Sequence, residues 1–430
     1  MVILGGGFGG LACARALDGA PVDVLLLDAR NYHLFTPLLY QVATALLDPS
    51  DIAYPLRRVF RKSANVRFRQ AHVTGVDFDA KVVRTHAGDE INYDTLVLAT
   101  GSTNAYFGNR DLAERTVGLK TLEEAMRLRN HVLACLERAS QAPEAERAEW
   151  LTFVVTGGGP TGVEYSGALV ELLAIVLGRD FPELVPGSAR VVLVEGADRL
   201  LGTFHPRLGA YAADTLRVRG VEVRLSTFVS GATDEAVHLS SGETIAARTI
   251  VWSAGVRPTD PLPPEKVDRS RTRRLTVDGH LRLRAVSSED VYAIGDVASV
   301  DADGGELPML SPPAMQEGRY VARMISAEVK GEPPPGPFRY RDKGTMATIG
   351  RRAAVVHVGP VRLRGGVGWL TWLVVHLYYL IGFRNRLVVL ASWAWDYVRW
   401  DRPIRIIVRS EDDPMVSDLL SEEAEPDPRD

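Results

Sequence analysis

The chain has 430 residues, of which 46% are hydrophobic and 24% charged, and its formal net charge is −4. This length gives room for two or three domains with full hydrophobic cores, and the slightly acidic balance gives no reason to expect a nucleic-acid partner. Cys13 and Cys135 are its only cysteines, which excludes a C-x-x-C redox pair, a cysteine zinc site and a disulfide framework, and we expect no metal. A predicted strand begins at residue 2 with no signal peptide before it, which favours a cytoplasmic protein.

The first predicted unit begins with an apolar strand, a glycine-rich turn and a helix. Its G-x-G-x-x-G pattern consists of Gly5, Gly7 and Gly10. Such a turn places a pyrophosphate against a helix N-terminus, because glycines let the backbone approach the phosphates closely. A second apolar run, residues 22–27, ends at Asp28, where a carboxylate can accept hydrogen bonds from a ribose 2′-hydroxyl. A solvated or helix-capping acid at the end of a strand is the alternative interpretation of Asp28.

Strand and helix signals then alternate until a buried strand and a turn of small residues close the first half. This strand and turn cover residues 93–102 and include Thr100 and Gly101. The apolar spacing of residues 121–138 predicts an amphipathic helix. A linker rich in Ala and Glu follows at residues 140–149 and leads into the second half.

The second half repeats this plan. Its pattern glycines are Gly157, Gly159 and Gly162. A buried run ends at Glu195, after a longer connection than in the first half, and the repeat finishes with a buried strand and a small-residue turn at Gly255. Because each phosphate cradle needs its own ligand, the repeat predicts a protein that binds two dinucleotides. The Glu195 carboxylate would repel a 2′-phosphate, which favours NADH over NADPH, unless this residue is only a solvated acid.

Residues 291–298 predict a strand that ends on Gly295 and Asp296 and passes into a polar loop. A carboxylate in such a turn can contact a polyol, while the N-terminus of the next helix faces a phosphate. An ordinary turn is the alternative. Two further strands are expected within residues 338–361.

The composition changes towards the C-terminus. Residues 369–383 are almost wholly apolar and aromatic, with His376 among the few interruptions, and residues 387–395 continue the run. The first stretch is shorter than the ~20 residues that span a bilayer, so we expect the region to lie in the headgroup layer of an anionic membrane. The arginines that favour this are Arg384, Arg386, Arg399, Arg402, Arg405 and Arg409. A core helix pair or a dimer interface is the alternative, and residues 411–430 predict a disordered acidic tail.

These stretches together resemble the type II NADH dehydrogenases, which are single-subunit NADH:quinone oxidoreductases that pump no protons. They belong to the two-dinucleotide-binding flavoprotein superfamily. The resemblance covers residues 1–409. The stretches that carry it are residues 31–44 (N-Y-H-L-F-T-P-L-L-Y-Q-V-A-T), 159–164, 295–296, 382–386 and 393–395.

The family's quinone motif is matched in part. Within residues 311–316, Ala314 and Gln316 agree with the family pattern, whereas Ser311 stands in place of the usual Ala. Tyr165 and Ser166 also depart from the small or aliphatic residues that are commoner at these positions.

The resemblance implies an α/β fold with two Rossmann-like dinucleotide-binding domains and a C-terminal membrane-associating region. It assigns residues 1–120 and 285–350 to an FAD domain, 121–284 to an NADH domain, 351–410 to the membrane region and 411–430 to the tail. It implies non-covalent FAD on Gly5, Gly7, Gly10, Asp28, Thr100, Gly101, Gly295 and Asp296. It implies NADH as substrate on Gly157, Gly159, Gly162, Glu195 and Gly255.

The implied reaction passes a hydride from NADH to FAD and then two electrons to a membrane quinone. It would take place at the cytoplasmic face of the cell membrane, with a homodimer as a further partner. Because a quinone also takes up two protons, Glu164 and Gln316 become catalytic candidates, with Ala314 beside the quinone. The alternatives are a first-turn acid that stabilises the helix dipole for Glu164, and a polar residue at a helix start for Gln316.

Several rival functions share this fold. Disulfide reductases and sulfide:quinone oxidoreductases need reactive cysteines, which argues against both. A soluble flavoprotein reductase of a carrier protein leaves the Trp-rich C-terminal region unexplained. An NADH-binding redox sensor remains as a non-enzymatic alternative, and it would lack rapid turnover with a quinone.

Overall fold

Strands and helices alternate along most of the chain. The computed structural model describes residues 1–262, 266–284, 290–302, 305–399, 402 and 404–408. The strands up to residue 224 are β1 (Val2–Leu4), β2 (Val24–Asp28), β3 (Tyr32–Leu34), β4 (Ala53–Pro55), β5 (Val66–Gln70), β6 (Val73–Asp77), β7 (Val82–Thr85), β8 (Glu90–Asn92), β9 (Leu96–Leu98), β10 (Ser102–Asn104), β11 (Val117–Gly118), β12 (Thr152–Thr156), β13 (Arg190–Val194) and β14 (Val221–Arg224). The later strands are β15 (Val229–Ala232), β16 (Ala236–Leu239), β17 (Thr244–Ala246), β18 (Thr249–Trp252), β19 (Val256–Pro258), β20 (Leu275–Thr276), β21 (Val291–Ala293), β22 (Ala298–Ser299), β23 (Asp301–Ala302), β24 (Gly305–Glu306), β25 (Thr345–Thr348), β26 (Ala354–Val358) and β27 (Val361–Arg364).

The helices connect these strands. They are α1 (Phe8–Ala16), α2 (Leu39–Ala43), α3 (Pro49–Ile52), α4 (Leu56–Val59), α5 (Arg110–Arg115), α6 (Leu122–Gln141), α7 (Arg147–Trp150), α8 (Pro160–Arg179), α9 (Pro206–Val218), α10 (Ser311–Lys330), α11 (Gly365–Tyr379) and α12 (Phe383–Arg399). Short 3-10 helices cover Thr36–Leu38 and Gly295–Val297.

The first compact unit contains residues 1–34, 53–103 and 256–343. Its main sheet is parallel and has the strand order β21-β9-β1-β2-β5. Strand β1 is central, and all three of its side chains are apolar and buried, as is typical of a parallel strand inside a sheet. A smaller antiparallel sheet is formed by β6, β7 and β8.

The second compact unit contains residues 35–52, 104–255 and the part of the chain from 344 onwards. Its main sheet is also parallel and has the order β11-β18-β12-β13-β14. In both units the strand before the glycine-rich turn lies between the strand that carries the acid and the strand before the small-residue turn. The repeat predicted from sequence is therefore confirmed, and with it the α/β class with two Rossmann-like units. Antiparallel sheets β15-β16-β17 and β25-β26-β27 complete this unit.

Helix α6 shows how local sequence sets the start of an element. Residues 121–138 were predicted to be helical, and α6 begins just after Thr121. The Thr121 hydroxyl accepts from Glu124 N at 3.2 Å, and the Glu124 carboxylate accepts from Thr121 N at 2.9 Å. This reciprocal capping box satisfies two backbone donors that the first helical turn leaves free.

The compact units have other bounds than the predicted domains. Residues 35–52 group with the second unit, as does the whole C-terminal region described. Helix α2 of this segment packs on α6 and α8, and polar contacts from α12 also join the segment to the C-terminal region. Asn385 Nδ2 donates to the carbonyls of Ser50 and Asp51 at 3.0 and 2.9 Å, and Trp393 Nε1 donates to Gln41 Oε1 at 2.8 Å. The predicted acidic tail and Arg409 lie outside the described residues.

Two arginines expected to face lipid headgroups are engaged with the protein. The Arg402 guanidinium is buried and donates to Thr44 O at 2.9 Å and to Glu171 Oε2 at 3.2 Å. Arg405 Nε lies 2.9 Å from the Asp180 carboxylate. A buried guanidinium is stable only when it is paired, so the headgroup prediction is wrong for Arg402. Arg405 is only half-buried, and a headgroup contact stays a prediction for it. The other described arginines of that set are exposed or half-buried: Arg384, Arg386 and Arg399.

The helices of the C-terminal region are short. Helix α11 has 15 residues and α12 has 17, fewer than the ~20 needed to span a bilayer. Within the described ranges, α8 is the one helix long and apolar enough to do so. Most of α8 is buried in the second unit, as expected for the core helix of a folded domain.

Candidate active site

The first glycine-rich turn is closely surrounded by backbone atoms of the turn itself and of Ala99. Gly5 has a φ of +105°, and a Cβ at this position would collide with Ala99 O. A Cβ on Gly10 would collide with Gly5 O. Gly7, the N-cap of α1, is different, because a Cβ there would have no atom within 4 Å. The turn therefore leaves open space at a helix N-terminus, where free N–H groups and the helix dipole favour an anion.

Asp28 is held against this turn by backbone donors. Its Oδ2 accepts from Gly6 N at 2.6 Å and its Oδ1 accepts from Arg30 N at 2.7 Å. Burial raises the pKa of Asp28 above its ordinary value, and these two hydrogen bonds oppose the rise. His33, to which the sequence analysis gave no role, donates from Nδ1 to Gly6 O at 3.0 Å, and burial lowers the pKa of His33 to about 4.

The second turn repeats this geometry. Gly157 has a φ of +103°, and a Cβ there would lie 2.6 Å from Ser253 O. Gly162 is blocked by Gly157 O, whereas Gly159, the N-cap of α8, faces open space. Glu195 takes the role of Asp28, because its two oxygens accept from the backbone N–H groups of residues 158 and 197. Glu195 follows Gly158 by 37 residues, whereas Asp28 follows Gly6 by 22.

The small-residue turns at the ends of the two halves adjoin these cradles. The Thr100 hydroxyl is buried without a hydrogen-bond partner among the described residues, which suits a contact with a bound group. Gly101 has a φ of +76° and its carbonyl accepts from Thr259 N at 3.0 Å. In the second unit, the Gly255 carbonyl accepts from Ala105 N at 3.0 Å.

The Gly295–Asp296 turn is fixed by two side chains. Gly295 has a φ of +74°, and its N–H donates to Glu317 Oε2 at 2.5 Å. Ser102 Oγ donates to Asp296 Oδ2 at 2.5 Å. Glu317 is buried, its Oε1 has no partner in the described part of the chain, and burial raises its pKa to about 7. Glu317 was not among the predicted site residues, although its place directly after Gln316, where the quinone motif ends, was a signal.

Gln316 and Ala314 lie in the first turns of α10. Ala314 is buried. The amide of Gln316 is occupied at both ends, since Nε2 donates to Arg341 O at 2.9 Å and Oε1 accepts from Arg341 N at 3.0 Å. In this structure Gln316 therefore holds the backbone at residue 341.

Glu164 belongs to the second unit, whereas Gln316 belongs to the first. Glu164 is buried on α8, and its Oε1 accepts from Thr348 N at 3.2 Å. Burial raises the pKa of Glu164 to about 8, and the Thr348 N–H and the nearby Trp372 indole oppose this rise only in part. Glu164 is therefore mostly protonated at neutral pH.

A second missed feature is the pair of Trp372 and His376 on α11. Trp372 is buried, and the His376 ring stacks on it at a centroid distance of 4.0 Å. His376 Nδ1 donates to Trp372 O at 2.7 Å, and burial lowers the pKa of His376 to about 4. Its signal in the sequence was a histidine within an apolar run, four residues after a tryptophan and so on the same helix face.

The chain has no groups suited to thiol or metal chemistry in its described part. Cys13 and Cys135 are free and fully buried, and burial raises the pKa of each thiol to about 12. A thiol that does not ionise is a poor nucleophile. No group of three or more His, Cys, Asp or Glu side chains suited to a metal ion occurs among the described residues.

Comparison with known proteins agrees with this geometry. A family model described as pyridine nucleotide-disulphide oxidoreductase matches residues 1–318. The chain is 38% identical over 407 residues to the type II NADH:quinone oxidoreductase Ndh of Mycobacterium tuberculosis, which covers 91% of this chain and 87% of that protein. The chain belongs to the type II NADH:quinone oxidoreductase family. The resemblance inferred from its motifs is thereby confirmed.

A second relative and two solved structures are also similar to this chain. The chain is 37% identical to NdhA of the same organism, over 93% of its own length and 87% of that protein. The structure of NDH2 from Plasmodium falciparum in complex with NADH superimposes with a TM-score of 0.86 at 19% identity, covering 95% and 99% of the two chains. The sulfide:quinone oxidoreductase from Aquifex aeolicus gives a TM-score of 0.70 at 18% identity, covering 93% and 95%. At these identities the two structures show a shared fold.

Proposed function

We propose that this chain oxidises NADH and reduces a membrane quinone, with non-covalently bound FAD as the electron carrier. The observation that carries the proposal is the pair of matched cradles. Each has a blocked glycine, an open N-cap glycine at a helix N-terminus and a carboxylate bound to the turn. Family membership agrees with this activity.

The second cradle is the candidate NADH site. A pyrophosphate fits the open space at Gly159, where the α8 N-terminus offers free N–H groups. The Glu195 carboxylate would accept from the adenosine ribose and would repel a 2′-phosphate, which selects NADH over NADPH. Gly255 follows the neighbouring strand β18, which ends at Trp252, and we assign it to the rest of the dinucleotide on the family resemblance.

The first cradle is the candidate FAD site, since its residues fit the group. Gly5, Gly7 and Gly10 would surround the pyrophosphate, and Asp28 would bind the adenosine ribose. The remaining candidate contacts are Thr100, Gly101, Gly295 and Asp296. Ser102 orients the Asp296 carboxylate, which suits it to the ribityl hydroxyls, and the unpartnered Thr100 hydroxyl supplies a further polar contact. Bound FAD would supply hydride acceptance and electron transfer, which no side chain can provide.

Proton supply would fall to side chains of the protein. Quinone reduction takes up two protons, and Glu164 retains its proton at neutral pH because its pKa lies at about 8. A buried acid of this kind can donate a proton and then regain it from solvent. We assign Ala314 and Gln316 to the quinone on the family motif, with Gln316 also holding residue 341 in place.

The outer faces of α11 and α12 support attachment to a membrane. Their large exposed apolar side chains are Val367, Leu370, Val374, Tyr378, Tyr379, Phe383, Leu387, Leu390, Trp395 and Val398. An exposed apolar face of this extent marks a contact surface, and Tyr and Trp side chains suit the interface of a bilayer. We assign this face to the cytoplasmic leaflet, with Arg384 and Arg399 near anionic headgroups. A homodimer through the same face is the competing assignment.

The decisive experiment compares electron acceptors. NADH oxidation by the purified, FAD-loaded protein is measured with a quinone, a ferredoxin and a disulfide side by side. We expect rapid turnover with the quinone alone. A preference for ferredoxin would support a carrier-protein reductase, and slow turnover with every acceptor would support a redox sensor.

A further inference from the structure

Two phenylalanine side chains are largely exposed beside the second cradle. Phe107 is 77% exposed and Phe228 is 60% exposed, and both belong to the second unit. An exposed apolar side chain is common on protein surfaces. These two differ from a chance pair because each adjoins a loop that ends a strand of the nucleotide-binding sheet, one on either side of the central strand β12.

Phe228 adjoins the loop that carries Glu195. Thr227 N donates to Glu195 O at 3.0 Å, and a Cβ placed on Gly196 would lie 3.9 Å from the Phe228 Cβ. The backbone of Phe228 is held on both sides, since its N–H donates to Ser240 Oγ at 3.1 Å and its carbonyl accepts from Ser240 N at 2.8 Å. The main chain is therefore anchored while the ring faces solvent.

Phe107 adjoins the loop after β18. Its φ is +51° and that of Gly108 is +83°, and Asn109 N donates to Tyr106 O at 2.9 Å. This is a two-residue turn with two left-handed positions, in which Asn-Gly is the favoured pair and a bulky residue is strained. The ring rests over Gly255, where a Cβ would lie 2.7 Å from the Phe107 Cζ.

Strained residues persist mainly where a site uses them, and this ring gains little from burial. Among the described residues, its aromatic contact is Trp252, at a centroid distance of 6.3 Å. The turn therefore presents a phenyl ring to solvent at a conformational cost that packing does not offset. The place of the ring, at the carboxyl end of β18, is where a dinucleotide crosses such a sheet.

We propose that Phe228 and Phe107 are the stacking surfaces for the two aromatic ends of NADH, adenine on Phe228 and the nicotinamide on Phe107. This inference rests on the proposed binding of NADH to the second cradle. With the pyrophosphate at Gly159, the adenosine end lies over the Glu195 side of β12. The nicotinamide end then lies over the β18 side. Planar rings gain from offset or edge-on contact with a phenyl face.

The test separates the two ends with ADP-ribose, which has the adenosine and pyrophosphate but lacks nicotinamide. The full-length, FAD-loaded protein is compared with F228A, F107N and the control V218A, which removes a similarly exposed side chain from the end of α9. The measurements are the Kd of ADP-ribose, the NADH concentration for half-maximal anaerobic flavin reduction, and the melting temperature. F228A should weaken both ligands about 3- to 10-fold.

F107N should weaken NADH by a similar factor and leave ADP-ribose within about 2-fold, because only the nicotinamide end is lost. Its melting temperature should not fall, since Asn-Gly suits the turn. The inference is overturned if F228A leaves ADP-ribose binding unchanged. It is also overturned if F107N lowers the melting temperature while NADH binding is unchanged, which would make Phe107 a structural anchor. Failure of the unsubstituted protein to bind ADP-ribose, or to have its flavin reduced by NADH, would instead refute the proposed function.

Discussion

Gly162 and Gly159 of the second cradle should respond to alanine in opposite ways. A methyl on Gly162 would collide with Gly157 O and lie 2.8 Å from Ser253 Oγ. The carbonyl belongs to the backbone and cannot turn aside, so overpacking should cost about 1–3 kcal/mol of unfolding free energy or more. For a unit of this size, that lowers the melting temperature by roughly 2–12 °C. Gly162→Ala is therefore a folding variant.

Gly159→Ala should instead be a binding variant. Gly159 has a φ of −71°, which alanine adopts freely, and no atom lies within 4 Å of the added methyl. The folding cost should stay below about 1 kcal/mol, from a poorer N-cap. A methyl forced against a bound pyrophosphate costs about 1–3 kcal/mol, which is a loss of roughly 5- to 150-fold in NADH affinity.

Calorimetry and anaerobic flavin reduction by NADH measure these two effects separately. Gly7→Ala, at the equivalent position of the first cradle, serves as the matched control and should lower FAD content while sparing ADP-ribose binding. Native NADH affinity in a folded Gly159→Ala protein would refute the assignment of the pyrophosphate to this helix N-terminus. So would an equal loss of FAD in the Gly7→Ala and Gly159→Ala proteins.

Three further predictions concern selectivity, protons and the membrane. Glu195→Gln should reduce the preference for NADH over NADPH by about 1–3 kcal/mol, because the repulsion between the carboxylate and the 2′-phosphate is removed. The ratio of kcat/KM for NADH to kcat/KM for NADPH measures this preference, and an unchanged ratio would contradict the prediction. The quinone-reductase activity of the unmodified protein should fall as the pH rises through about 8, where Glu164 loses its proton. The Glu164→Gln protein should have a lower activity that does not fall in this pH range. If its activity still falls there, another group causes the pH dependence. The double variant L370D/F383D should sediment with vesicles containing anionic lipid at least about tenfold less, since each exposed side chain offers about 1.5–3 kcal/mol on burial. Unaltered sedimentation of a folded double variant would favour a different membrane anchor. Unaltered sedimentation together with a change from dimer to monomer would favour the homodimer.

Glu164 should also make the stability of the protein depend on pH. The pKa of Glu164 rises from 4.5 to about 8 on folding, so the unfolded chain releases this proton first as the pH increases. Its contribution to stability is therefore full below about pH 4.5 and is lost as the pH approaches 8. Denaturant unfolding should therefore show the free energy of unfolding of the Glu164→Gln protein increasing relative to that of the native protein as the pH rises.

The local pattern of the chain already specified the cradles and much of the secondary structure. A cradle could be predicted from glycines at the right intervals, an apolar strand before them and an acid after them. These features suffice because turn geometry and helix dipoles are short-range effects. The capping box of α6 was set in the same way by Thr121 and Glu124. Two such cradles also predicted the parallel sheets, since each requires a strand, a crossover helix and a neighbouring strand.

The tertiary structure decided what depends on distant parts of the chain. Glu164 lies next to the second glycine turn in sequence, yet its raised pKa comes from burial, and the contacts that oppose it come from Thr348 and Trp372, far along the chain. Arg402 was predicted to contact lipid headgroups because it is an arginine beside an apolar, aromatic stretch. In the structure, Thr44 and Glu171 bind it inside the second unit. Burial and pairing of this kind are set by segments that meet only on folding. The sequence pattern along one segment carries no record of them, whereas the capping box of α6 involves residues three positions apart.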